Sequence, residues 1–322
     1  MKKLFTKIAI AVAGFTGVAV AQQDPQFTQW MHNRLIYNPG YAGTSGAICG
    51  VLQFRQQWVN FTGAPQSIAV AGDMPIQGLP LGVGLNIISD KIGPMSTNFV
   101  RAAGAWNKKL AGGTLGIGLD VGMLQKSINA SWIVPEPDKI DPTIPGSYGD
   151  NGYSNSSLNK VTYDLGFGAF YQIPGRFYAG LSSTHLPAQT VGSGDIKYDM
   201  TRHYYVMTGY TYDFNPMNAL GVNIKYKSDL AAGALDANLM YTWDKMISAG
   251  ATYRFGDAAA LLLGYQSRPF GGGYTAKVGY SYDFTLSKVK GYSSGTHEII
   301  LGVCYVPKIK KITSYGDPRF LN

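Results

Sequence analysis

Leu115-Gly116-Ile117-Gly118-Leu119-Asp120-Val121-Gly122-Met123 alternates large apolar residues with glycine or aspartate without a break. Successive side chains on a strand point to opposite faces, so this run has one greasy face and one small or polar face. Leu81-Gly82-Val83-Gly84-Leu85-Asn86-Ile87 repeats the pattern. The same two-residue rhythm continues from Ala47 to Val306 in stretches of roughly ten residues, enough for a tilted strand to cross a bilayer. An apolar band toward lipid and a wet interior together describe an outer-membrane β-barrel.

Composition points the same way. The chain carries 22 Tyr, 14 Phe and 41 Gly. Aromatic residues suit interfacial girdles, and glycine suits crowded strands. A soluble β-sandwich fits less well, because its strands are usually nearer five or six residues. After the first twenty-odd residues no apolar run is long enough for a transmembrane helix. No cluster of Lys and Arg interleaves with aromatics, so nothing points to nucleic acid.

The alternation predicts an all-β, antiparallel, up-and-down transmembrane barrel of about fourteen strands. They fall near 47–58, 66–74, 80–89, 96–107, 114–124, 161–172, 176–184, 202–214, 219–227, 235–243, 246–255, 258–266, 273–285 and 296–306. The stretch 96–107 has the weakest pattern, with Arg101 and Trp106 allowing either facing. An even strand number places both barrel ends on the periplasmic side. The long gaps 125–160, 185–201 and 286–295 then all fall outside, and the other side keeps only short turns, as outer-membrane barrels do.

The ends are read separately. Lys2, Lys3 and Lys7 precede an apolar stretch and the small-x-small site Ala19-Val20-Ala21, the layout of a cleaved signal peptide over 1–21. Its removal takes away three lysines and lowers the formal charge from +8 to +5. Residues 22–46 form a periplasmic strap or a lumenal plug, with Asn38-Pro39-Gly40 as a turn signal. The tail 307–322 is expected in the periplasm. Its Lys308, Lys310, Lys311, Arg319 and Phe320 are candidate contacts for periplasmic partners.

Catalytic and metal signals are weak. His32, His185, His203 and His297 are scattered, with no metal spacing and no nucleophile motif. Structural roles are expected for each, with no cofactor and no enzymatic activity. Gly82-Val83-Gly84, Gly116-Ile117-Gly118 and Gly166-Phe167-Gly168 resemble dinucleotide fingerprints, but none opens a helix. They read as inward glycines of strands. The prolines and acids of 125–160 lack the regular spacing of a calcium loop and suit a solvated outer loop.

The seam can be placed from the residues. Closure requires the first and last strands to pair, since lipid cannot satisfy a free edge. The chain's two cysteines sit on those strands: Cys49 begins the first and Cys304 ends the last, both at the periplasmic end, and alternation turns both inward. If they face each other, antiparallel pairing sets Arg55 opposite Glu298, a charge match that favours the same register.

Several segments then read together: Gln23-Asp24-Pro25-Gln26-Phe27, Tyr37-Asn38-Pro39-Gly40-Tyr41-Ala42-Gly43-Thr44, Arg55-Gln56-Gln57-Trp58, Gly63-Ala64-Pro65, Phe177-Tyr178-Ala179-Gly180-Leu181-Ser182, Arg202-His203-Tyr204-Tyr205, Gly279-Tyr280-Ser281-Tyr282-Asp283-Phe284 and Gly295-Thr296-His297-Glu298-Ile299-Ile300-Leu301-Gly302. As an ordered set over the whole mature chain they resemble the PorP/SprF family of Bacteroidota. The Pro/Asn/Gly-rich stretch around 135–160 departs from that pattern. The resemblance implies an outer-membrane barrel of the type IX secretion system, in some members tied to gliding motility. It implies three kinds of partner besides lipid: a secreted adhesin with a type B C-terminal domain, ring lipoproteins, and a peptidoglycan-binding lipoprotein. The alternative is a transport channel for a hydrophobic or small polar solute, with 22–46 as its plug.

Overall fold

The computed structural model describes residues 24–133, 153–193 and 196–307. The expected signal peptide, and Lys308, Lys310, Lys311, Arg319 and Phe320 of the tail, lie outside them. Sixteen strands are described: β1 (Ile48–Gln56), β2 (Gln66–Ile76), β3 (Leu81–Ile92), β4 (Met95–Leu110), β5 (Gly113–Ile133), β6 (Tyr153–Ile173), β7 (Phe177–Thr184), β8 (Thr190–Ser193), β9 (Ile196–Asp199), β10 (His203–Asn215), β11 (Asn218–Ser228), β12 (Gly233–Trp243), β13 (Ile247–Arg254), β14 (Ala258–Gln266), β15 (Tyr274–Thr285) and β16 (Thr296–Tyr305). Fourteen of them close into one antiparallel barrel, each beside its neighbour in sequence, while β8 and β9 form a separate hairpin between β7 and β10.

Closure comes from β1 pairing with β16. Cys49 lies opposite Cys304 and Arg55 opposite Glu298. The cysteines form a disulfide across this seam, with Cα atoms 4.1 Å apart. Both sit at the end of the barrel that carries the short turns, which is the periplasmic end in outer-membrane barrels.

Alternation sorts the side chains by face. Leu119, Val121, Met123, Leu85 and Leu263 are exposed outward. Tyr212, Phe214, Trp243 and Tyr265 stand near the periplasmic rim, and Phe255 and Phe284 near the outer rim. These are the positions of the two aromatic girdles. On β4, Arg101 is buried inward and Trp106 is exposed outward.

Two stretches read as loops contain strand. β5 continues to Ile133 and β6 starts at Tyr153, so the fifth hairpin extends beyond its neighbours as two paired arms. Lys126 pairs with Lys160 and Ser127 with Asn159 there. Lipid borders the barrel but not these arms, so the outward row turns polar: Leu119, Val121 and Met123 are followed on that face by Gln125, Ser127 and Asn129. The gap 185–201 likewise holds the β8–β9 hairpin, in which Thr190 pairs with Asp199.

Candidate functional site: the filled lumen

Residues 24–46 run through the barrel interior. Their apolar residues Phe27, Trp30, Met31, Leu35, Ile36 and Tyr37 are buried in one cluster with wall residues Phe99, Leu124, Phe170 and Met207. The segment passes lengthwise. Asp24 lies beside His185 at the outer end of β7, while Gly43 donates its backbone N–H to Asp73 near the periplasmic end of β2 (2.9 Å). The outer excursion covers the other end, where Met200 is buried in the same cluster and Tyr198 packs against it. A cavity of about 190 Å³ remains on the periplasmic side, lined in part by Met31, Arg34, Tyr41 and Lys277.

Why the segment fits is visible in the glycines. A Cβ at Gly116 would come within 2.1 Å of the Gly40 carbonyl oxygen, and one at Gly118 within 2.6 Å of Pro39. At Gly168 it would meet the Asn38 side chain at 2.2 Å, and at Gly82 the Ala42 carbonyl at 2.1 Å. These inward glycines form a backbone-lined groove for the Asn38-Pro39-Gly40 turn. Asn38 holds that turn from both sides: its Oδ1 accepts from the Gly40 N–H, and its Nδ2 donates to the carbonyls of Ala169 and Leu181.

Charged wall residues hold the segment near the outer end. Glu298 Oε2 accepts from the backbone N–H of Thr28 (2.7 Å) and Oε1 from that of Gln29 (2.8 Å). Arg55 bridges Glu298 at 2.9 Å and Asp283 at 2.8 Å, and donates to the Thr28 hydroxyl at 2.8 Å. All of these are buried. Such groups remain charged in an interior only when each has partners. On the neighbouring wall, Asp236 receives Lys225 and Arg254, both at 3.0 Å. Lys225 also lies 4.7 Å from the centre of the Tyr37 ring, within cation–π range.

A third cluster gathers around Asp24. Its carboxylate meets His185 Nε2 at 2.8 Å and accepts from the Tyr205 hydroxyl at 2.6 Å. His185 Nδ1 faces Asp164 at 3.1 Å, and Asp164 in turn receives Arg101 at 2.8 Å. Burial acts to raise the Asp24 carboxyl, but the adjacent His185 overrides it and holds Asp24 well below the usual carboxylate range. For His185, burial acts to lower the imidazole, yet Asp24 and Asp164 carry it up to about 8.

The structure thus brings Cys49, Cys304, Arg55 and Glu298 together at the seam, with Arg55 and Glu298 also gripping residues 24–46. Asp283, which accepts from the Thr28 hydroxyl at 2.6 Å, and the inward glycines add further contacts to that segment. Sequence reading did not single out Asp24 or join it to the histidines, since His185 lies 161 positions away. His203 stands beside His185, with ring centres 5.5 Å apart, and the remaining two histidines lie apart from the cluster. His32 contacts Lys277 at 3.1 Å, and His297 contacts the Tyr280 hydroxyl at 2.7 Å.

Fold and interior define the class: an outer-membrane β-barrel of fourteen strands whose lumen is filled by its own N-terminal segment. The chain belongs to the PorP/SprF family, described as type IX secretion system membrane proteins, whose family model matches residues 19–303. No curated protein matches it in sequence. Among solved structures it is similar to the monoaromatic hydrocarbon channel CymD, with a TM-score of 0.51 and 11% identity over 89% of this chain and 94% of that one. The toluene transporter TodX of Pseudomonas putida gives a TM-score of 0.50 and 11% identity over 84% and 92%. At such identity the likeness concerns the fold alone.

Proposed function

We propose that this protein is a non-enzymatic anchor and adaptor of the type IX secretion machinery. On this reading its outer face holds a secreted adhesin, through that protein's C-terminal domain, at the cell surface. Its periplasmic face couples the adhesin to ring and peptidoglycan-binding lipoproteins, with the tail residues Lys308, Lys310, Lys311, Arg319 and Phe320 as contacts.

Family membership supports a place in the secretion system. The observation that favours anchoring over solute transport is the packed interior: residues 24–46 fill the lumen with buried apolar side chains and buried ion pairs. Drawing such a segment aside would break charge contacts that water could not reach to replace. A barrel built in this way is a rigid fixture rather than a pore.

A deletion strain tests the reading. Surface display of a secreted adhesin should be lost while uptake of small solutes stays normal. Intact display together with a nutrient-specific uptake defect would favour the transport channel instead.

A further inference from the structure

We propose that Asp24, His185 and His203 form a binding site for one Zn²⁺ ion at the outer end of the lumen. The residues come from three separate places. Thr184 of β7 pairs with His203 of β10, so the strands are neighbours there. His185 follows Thr184 with φ at 56°, a left-handed conformation uncommon outside glycine, and its side chain is buried. Asp24 arrives on the lumenal segment. One donor atom from each residue lies within 4.8 Å of the other two.

Hydrogen bonding fixes which atoms are available. His203 Nδ1 lies 3.1 Å from the Thr201 carbonyl oxygen. A carbonyl only accepts, so Nδ1 carries the proton and Nε2 of the neutral ring keeps a lone pair. His203 is buried, and among the described residues its Nε2 has no hydrogen-bond partner. A buried polar atom in that state calls for an explanation, and a metal ion supplies one. At His185, Asp164 stands 3.1 Å from Nδ1 as an ion-pair partner, and Nε2 points at Asp24. A carboxylate or carbonyl on the far nitrogen of each ring is the usual support for a metal-binding histidine.

The surrounding charges allow a cation. Arg101 comes within 3.4 Å of His185 Nε2, but it is already paired with Asp164 at 2.8 Å. Lys227 is held on the main-chain carbonyl of Asp24 at 2.9 Å, leaving the carboxylate to the cluster. The ion replaces the proton shared between Asp24 and His185. Two imidazole nitrogens and one carboxylate oxygen, with a fourth position for water, suit zinc. His185 and His203 flank the excursion that carries β8 and β9, so the ion would fasten the base of that excursion to the lumenal segment.

The test uses the full chain purified in detergent, stripped with chelator and titrated calorimetrically with Zn²⁺. One ion per chain should bind with submicromolar affinity. His203→Ala and Asp24→Asn should each weaken binding by at least about 100-fold, since even partners behind the ligands are worth about 10–100-fold, while His297→Ala, at a histidine far from the cluster, should leave it unchanged. Retention of the compact, heat-modifiable barrel on gels identifies variants that remain folded. X-ray absorption of the zinc-loaded wild type needs no variant, and should show two imidazoles at about 2.0–2.1 Å. Micromolar or weaker binding by the wild type, equal affinity in His203→Ala, or a spectrum without imidazole would overturn the assignment.

Discussion

Glu298 shows how much rests on single side chains. Its two oxygens serve two backbone N–H groups of the lumenal segment, the Gln53 amide and the Arg55 guanidinium. Glu298→Gln replaces one acceptor with an NH₂ facing donors and leaves Arg55 short of a counter-charge. Breaking one side of a buried pair costs about 3–5 kcal/mol, so the variant should unfold at clearly lower urea in detergent or vesicles. Glycine gives a second prediction at this scale. Gly116→Ala drives a Cβ into the Gly40 carbonyl, whereas a Cβ at Gly50 meets nothing within 4 Å. The first should lose about 1–3 kcal/mol and make 24–46 accessible to protease; the second should stay within about 0.5 kcal/mol of wild type. In Leu115-Gly116-Ile117-Gly118 the facing of each residue could be read from period two alone. What the glycines receive could not, because the turn that fills them lies far off in sequence. The Asp24, His185 and His203 cluster was hidden for the same reason: no local spacing records a contact that only barrel closure creates.

Among the elements, the legible strands are those bordered by lipid. The runs at 81–87 and 115–123 have an apolar outer face because hydrocarbon demands it. Where β5 and β6 leave the barrel the demand ends, and the outward positions Gln125, Ser127 and Asn129 no longer mark a strand by an apolar face. That difference predicts where protease reaches the folded protein on intact cells. Cleavage should fall in 134–152 or in the 185–202 excursion, and not in the short turns such as 77–80 or 111–112. Cuts confined to those turns would invert the orientation. The seam offers a chemical check at the same scale. Cys49 and Cys304 are bonded and no free thiol remains. A thiol-reactive probe should therefore label the denatured protein only after reduction, and labelling without reduction would contradict the closed seam.

At the scale of the whole molecule, an apolar coat in lipid encloses an interior packed with buried apolar residues and paired charges. The fold class follows from alternation and loop parity. That residues 24–46 fill the lumen does not, because a polar and aromatic segment serves equally as strap or plug until the groove that receives it is known. On the proposed reading, a filled barrel with a covered outer end and a disulfide across its seam serves as an anchor rather than as a channel. The most direct measurement is purification of the protein from native outer membranes under mild detergent, followed by mass spectrometry of everything retained. The account predicts a secreted surface protein with a C-terminal secretion domain, together with periplasmic lipoproteins, in near-stoichiometric amounts. A barrel that comes out free of protein partners and carries a small hydrophobic ligand in its lumen would contradict it.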